Sequence, residues 1–154
     1  CDLDKSIDHI GALELPDGRG NLLESGGGTI IDDSYNANPS SMKMSLNYLG
    51  SMRKYKRRIA LLGEMLELGE ASAVSHQHIG NYLENINEVY TFGASFQSVS
   101  FERKKHYQSV NDFDISSFVK NLEPQDCILI KGSNKVFWKE DFVPRLILEI
   151  ENSD

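Results

Sequence analysis

Short apolar runs recur along this chain, at Ile59-Ala60-Leu61-Leu62, Val89-Tyr90-Thr91-Phe92 and Cys127-Ile128-Leu129-Ile130, with segments of helical spacing between them. A run that is apolar at nearly every position buries both faces, which is the habit of a strand inside a parallel sheet. Parallel neighbours need crossover segments, and right-handed crossovers lay helices on both faces. The pattern predicts an α/β domain: a Rossmann-like three-layer fold with a mostly parallel sheet. Helices are expected over about 71–85, 94–100 and 110–122, with a final one after Glu140. Asn21 to Glu24 and Thr29 to Asp32, either side of Gly26-Gly27-Gly28, read as a short β-hairpin that opens the domain. Met42, Leu46 and Leu49 mark another helix, ending at the basic cluster Arg53-Lys54-Tyr55-Lys56-Arg57-Arg58, where a helix dipole favours cations. Upstream, Leu3, Ile7, Ile10 and Leu13 have helical spacing, and Leu15 to Asn21 reads as a turn-rich linker.

The 154 residues suffice for one domain with a real core. A net charge of -7 argues against a nucleic-acid partner. No apolar run approaches the roughly 20 residues of a membrane helix, and no amino-terminal signal pattern is present. Cys1 and Cys127 form no disulfide framework and no metal-ligand spacing. Cys127 sits within a strand pattern and reads as a reduced core residue, which fits a cytoplasmic protein. The chain opens on Cys1-Asp2 and not on methionine, the mark expected of a domain cut from a longer polypeptide.

The chemistry concentrates at Ile30-Ile31-Asp32-Asp33-Ser34-Tyr35-Asn36-Ala37-Asn38-Pro39-Ser40-Ser41, where an apolar strand runs into acids and amides and then into a helix start. Ligand sites of α/β sheets are built this way, at the carboxyl ends of strands. Pro39 suits the first helical turn, with Asn38 as its cap. A carboxylate at a strand tip can accept both hydroxyls of a ribose. It can equally serve as a capping acid. Alternation sends Asp32 and Asp33 to opposite faces, and Asp33 is the preferred ligand residue. No Gly-x-x-x-x-Gly-Lys-Ser/Thr segment occurs anywhere, and Gly26-Gly27-Gly28 lacks the lysine and the following helix of such a loop.

Read at full length, this segment resembles one family. With Pro16-Asp17-Gly18-Arg19-Gly20 before it, Leu62-Gly63-Glu64-Met65-Leu66-Glu67-Leu68-Gly69 after it, then His76 with Ile79-Gly80 and Ile128-Leu129-Ile130-Lys131-Gly132-Ser133, it is similar to the carboxyl-terminal domain of the Mur ligases, in the branch that adds D-alanyl-D-alanine. The resemblance runs from about Leu13 to Ile147 with the motifs in the family's order. It implies residues 1–20 as the end of a central domain plus linker, and 21–154 as the carboxyl-terminal domain.

The resemblance further implies an ATP-dependent ligase of peptidoglycan synthesis, with UDP-N-acetylmuramoyl tripeptide and D-alanyl-D-alanine as substrates and an acyl phosphate as intermediate. The phosphate-cradling loop and most Mg2+ ligands would belong to the central domain, so this chain would be half of a shared site, inactive alone, working with its own amino-terminal and central domains. Asp33, with Asp32, Tyr35, Asn36 and Asn38, would meet the ribose and adenine of ATP; amides offer a donor and an acceptor together. Arg19 would clamp the transferred phosphoryl group, where a guanidinium offsets developing charge; otherwise it is a surface linker residue. Glu64 and Met65 lie in a loop facing the dipeptide, with Glu64 receiving its ammonium and Lys131, Gly132 and Ser133 its carboxylate. Plainer roles remain open, Glu64 as a loop acid and Lys131 as a snorkeling lysine. His76 reads as a hydrogen-bonding helix residue. The sequence departs from the family at Glu64, usually aspartate, and at Asn134 and Trp138, where arginine and methionine are usual.

Two rivals stand beside this. Another Mur ligase, or the folate-polyglutamating enzyme, shares the architecture but usually carries histidine where Asn36 or Asn38 stands. A receiver-like phosphorylatable domain also pairs acids after its first strand with a late lysine, which Asp32-Asp33 and Lys131 imitate. It needs an aspartate where this chain has Gly63-Glu64.

Overall fold

The computed structural model describes residues 17–26 and 28–153. The expected helical arm over Asp2 to Leu13, the first residues of the linker, Cys1 and Gly27 lie outside the described residues. Strands β1 (Asn21–Ser25) and β2 (Gly28–Asp33) form the expected antiparallel hairpin. With β3 (Arg57–Gly63), β4 (Glu88–Phe92), β5 (Lys104–Tyr107) and β6 (Asp126–Lys131) they make a six-stranded sheet in the order β1-β2-β6-β3-β4-β5. All pairings after the hairpin are parallel.

Helices α1 (Pro39–Ser51) and α2 (Ser72–His78) cover one face, and α3 (Ile115–Lys120) and α4 (Phe142–Glu151) the other. The strands divide between them with period two. Ile31, Ala60, Leu62 and Leu129 pack with Met42, Leu46 and Leu49 of α1, while Ile30, Leu61, Ile128 and Ile130 pack with Phe118 of α3 and Phe142, Leu146 and Ile150 of α4. Each of the larger side chains among them contributes about 1.5–3 kcal/mol on burial. A one-residue slip would exchange both faces at once, so the register is strongly fixed. Cys127 joins the α1 face, and burial pushes its thiol up to about 11.

Several expected elements are redrawn by packing. The helix anticipated over about 71–85 is α2 followed by a 3-10 turn at Ile79–Tyr82. Only a 3-10 turn, Ala94–Phe96, replaces the helix over about 94–100, and Lys104 Nζ donates to the carbonyls of Phe96 and Val99 there. The segment over about 110–122 breaks at Phe113, whose ring is drawn between Tyr90, Phe92 and Tyr107, and Asp114 then caps α3 through Ser117 N–H at 2.9 Å. Strand β5, Lys-Lys-His-Tyr, carries no apolar alternation and was not expected. Its lysines suit an edge strand, where charge discourages further pairing.

The basic cluster is also placed differently. Helix α1 ends at Ser51, before any of it, and Arg57 and Arg58 open β3. Arg57 donates from Nε and Nη2 to Asp126, from Nη1 to Glu88 and from Nη2 to the Asn121 carbonyl, tying three strands and the α3 terminus together. The side-chain bond to Asp126 is the chief reason the guanidinium holds its proton even more firmly than usual.

Candidate functional site

Strands β2 and β3 feed helices on one face, whereas β6, lying between them, feeds α4 on the other. Oppositely directed connections open a crevice at the strands' carboxyl ends, where α/β sheets bind ligands. Three loops meet there, following β2, β3 and β6.

Their contact is close. At Gly132 a Cβ would stand 2.7 Å from the Gly63 Cα, so neither loop admits a side chain at that crossing. Ser133 N–H donates to the Glu64 carbonyl at 3.1 Å. Lys131 Nζ reaches back to Asp33 Oδ2 at 2.8 Å and to the Asn36 carbonyl at 2.9 Å. Lys131 is 2% exposed, so its ammonium is committed to the β2 loop. Asp33 Oδ2 also accepts from Ser45 Oγ of α1 at 2.7 Å.

Asp32 points to the other face, as alternation requires. It is buried, and Oδ1 accepts from Ser34 Oγ at 2.6 Å and Ser34 N–H at 3.2 Å. Desolvation raises its carboxyl above the usual 3.8 despite those bonds. With Asp17, Trp138, Asp141 and Ile147 it lines a cavity of about 480 Å³ beside the tip. A second cavity, about 410 Å³ around Arg57, Tyr90 and Asn121, lies between α3 and the face of β3, β4 and β5.

The linker is stitched to the tip by backbone bonds, Gly20 N–H to the Asp32 carbonyl at 2.7 Å and Tyr35 N–H to the Gly18 carbonyl at 2.9 Å. This places the Arg19 guanidinium 4.5 Å above the Tyr35 ring, which meets Trp138 edge-on at 5.4 Å. Trp138, one of the departures from the family pattern, thus supports the tyrosine. Nothing in the sequence alone linked it to Tyr35.

The carboxamides differ in availability. Asn38 caps α1, its Oδ1 accepting from Ser41 N–H at 2.8 Å, while Ser41 Oγ accepts from Asn38 N–H at 3.1 Å. Asn36 is exposed, with only its carbonyl engaged by Lys131. Met65, expected on the substrate side, turns inward instead: it is 1% exposed in the core. Its N–H donates to His76 Nε2 at 2.9 Å, and His76 Nδ1 donates to the Ser72 carbonyl at 2.7 Å, which fixes the ring as the Nδ1–H tautomer. Both residues therefore pin the loop that carries Glu64. Glu64 Oε2 accepts from Ser95 N–H at 3.0 Å and Ser95 Oγ at 2.7 Å. The Ser133 hydroxyl is buried and has no partner among the described residues, a polar atom left to be satisfied by something else. Among the described residues no group of three or more His, Cys, Asp or Glu side chains gathers to hold a metal ion. No helix among them is long and apolar enough to cross a membrane.

Fold and tip together define an α/β domain with a strand-end site assembled from three loops and a stitched linker. The profile described as Mur ligase, glutamate ligase domain, matches residues 18–134. The chain belongs to the Mur ligase family, through this domain. It is 31% identical over 142 residues to a UDP-N-acetylmuramoyl-tripeptide–D-alanyl-D-alanine ligase of Rickettsia prowazekii, covering 88% of this chain and 31% of that protein. With the ligase of the same name from Bacillus subtilis it shares 29% over 135 residues, covering 80% of this chain and 29% of that protein. A crystal structure of MurF ligase from Thermotoga maritima in complex with ADP superposes with a TM-score of 0.77 at 25% identity, over 97% of this chain and 37% of that one. The chain spans a little under a third of the length of these two curated relatives. Family membership removes the receiver-like alternative, and the β3 tip offers Glu64, bound to Ser95, where an acceptor aspartate would be needed.

Proposed function

We propose that this chain is the carboxyl-terminal domain of a cytoplasmic ATP-dependent ligase that joins D-alanyl-D-alanine to UDP-N-acetylmuramoyl tripeptide in peptidoglycan synthesis. The observation that carries the reading is the convergence of the β2, β3 and β6 loops at one sheet edge, through Lys131–Asp33 and Ser133–Glu64. The names of the relatives from R. prowazekii and B. subtilis support the substrates, and the ADP complex of the T. maritima neighbour supports the nucleotide. Residues 1–20 then form the end of a preceding domain and a linker, and 21–154 the domain proper.

In this reading Asp33 accepts ribose hydroxyls, with Asp32 behind it shaping the strand tip, and Tyr35, Asn36 and Asn38 border the adenosine. A P-loop supplied by a neighbouring domain holds the phosphates, since this sequence has none. The γ-phosphoryl group passes to the tripeptide carboxylate, releasing ADP and leaving an acyl phosphate. Arg19, carried on the stitched linker, spreads the charge of that transfer. The dipeptide amine, once deprotonated, attacks the acyl carbon, and phosphate departs as the amide forms. Glu64 receives the ammonium before attack, and the Gly132-Ser133 turn, backed by Lys131, holds the dipeptide carboxylate; the partnerless Ser133 hydroxyl supports that placement. Binding the amine beside the acyl phosphate makes the attack effectively unimolecular.

The test supplies ATP, UDP-N-acetylmuramoyl tripeptide and labelled D-alanyl-D-alanine to the ligase carrying this domain, and separately to the 154-residue chain. Labelled product is expected from the ligase only, and only with ATP. Turnover by the chain alone overturns the division of labour, and a ligase that ignores the dipeptide overturns the substrate assignment.

A further inference from the structure

Glu64 is held in a way that its place in a loop does not require. Its Oε2 accepts both the backbone N–H and the hydroxyl of Ser95, from the turn that follows β4. Its own N–H donates to the Phe92 carbonyl at 2.9 Å, and its carbonyl accepts from Ser133 N–H at 3.1 Å. Between Phe92 and Ser95 lies Gly93, at φ +105, where a Cβ would stand 2.5 Å from the Glu64 carboxyl carbon. The glycine thus supplies both a backbone turn that L side chains rarely adopt and the space in which the carboxylate lies. Oε1 accepts no hydrogen bond among the described residues.

A carboxylate on a flexible loop would sample several rotamers and pay that freedom on meeting a ligand. Two donors on one oxygen select a single rotamer in advance and leave the second oxygen for an external donor. The donors are neutral, so the negative charge is kept and not cancelled, as it would be by a lysine or arginine. A fixed carboxylate oxygen with no cation bound to it among the described residues is ready for a cationic donor, and the ammonium of the dipeptide is the one that the proposed reaction brings here.

We infer that Ser95 is a positioning residue for amine recognition: with Gly93 making room, it locks the Glu64 side chain so that Oε1 meets the ammonium of the incoming dipeptide. This rests on the proposed ligase reading and adds the β4 turn, which no motif in the sequence marked, to the acceptor-amine site.

The test is steady-state kinetics on the complete ligase carrying this domain, with D-alanyl-D-alanine and ATP varied separately. Ser95→Ala removes one of the two donors and is expected to raise KM for the dipeptide roughly tenfold, as losing a hydrogen bond to a charged group does, with KM for ATP unchanged. Ser95→Thr, which keeps both donors, should stay within about twofold of the parent. Glu64→Gln should raise the dipeptide KM at least as much as Ser95→Ala, and adding Ser95→Ala to it should have little further effect, because the two act as a unit. Thermal melting of each variant separates these effects from loss of fold. Equal rises in both KM values, or additive effects in the double variant, overturn the positioning role. If Glu64→Gln raises the dipeptide KM while Ser95→Ala leaves it unchanged, positioning alone fails. If Glu64→Gln leaves it unchanged, Glu64 does not bind the amine and both readings of this loop fall.

Discussion

Lys131 and Asp33 are register partners on the adjoining parallel strands β6 and β2, and their side chains close at 2.8 Å with the lysine almost fully buried. The same Nζ reaches the Asn36 carbonyl. One cation therefore fixes both the carboxylate and the backbone of the loop proposed to meet the nucleoside. Lys131→Met would leave the Asn36 carbonyl without a donor and Asp33 with only Ser45, at a cost of about 2 kcal/mol. Urea denaturation of the chain should show a lower midpoint with an unchanged slope, and nucleotide binding should weaken with it. Lys131→Arg should not restore either, since a planar fork does not fit a site built for a point charge. Normal stability in both variants would mean that the pair is incidental.

Arg19 is predicted to matter to rate and little to fold. Its stack on Tyr35 at 4.5 Å is exposed, and such contacts contribute only about 0.5–1 kcal/mol. Arg19→Ala should leave the melting curve nearly in place while lowering kcat of the complete ligase on the order of a thousandfold, the scale of a lost phosphoryl-clamping arginine. An unchanged kcat would remove Arg19 from the reaction.

Asp32 should work against stability at neutral pH. Burial holds its carboxyl above the 3.8 of an exposed group, so the folded state keeps a proton that the unfolded chain has released. Stability on this account falls as pH rises from about 3.8 through the raised value. Asp32→Asn retains an oxygen for the two Ser34 donors and buries no charge. It should unfold at higher urea than the parent at pH 7, with the gap closing below pH 3.8. A gap that widens in acid would reverse the assignment.

Arg57 anchors the opposite edge of the sheet. Its loss would leave Asp126, 1% exposed, without its cation; because Arg57 is itself 29% exposed, the cost is about 2 kcal/mol, that of hydrogen bonds to a charged group. Arg57→Met should therefore lower the urea midpoint markedly. Because the strand tips lie at the other end of the sheet, nucleotide and dipeptide KM values in the surviving folded ligase should stay unchanged.

Much of the architecture was legible because it follows from local rules. Fully apolar runs announced β3, β4 and β6, the glycine run announced the hairpin, and Asn38-Pro39 announced the start of α1. Strand β5 escaped because an edge strand at this position is held by pairing with β4 and by Lys104, whose ammonium donates to the carbonyls of Phe96 and Val99, and neither leaves a periodic signature. Two of the three overestimated helices are cut where tertiary contacts take over, Lys104 on the carbonyls of Phe96 and Val99 and Phe113 drawn into the aromatic core.

The site divides along the same line. Its composition, a tip of acids and amides with a late lysine and a linker arginine, is a property of the chain's order and could be read from it. Which groups remain free is not, because that depends on what approaches from distant segments. Lys131 is spent on Asp33 and Asn36 from 98 and 95 positions away, Met65 is turned inward by His76, Trp138 shores up Tyr35, and Ser95 sets Glu64 from 31 positions on. Sequence determined the chemistry offered at the strand ends; only the folded arrangement decided how it is distributed, since hydrogen bonds between loops require segments distant in sequence to lie side by side at the sheet's edge.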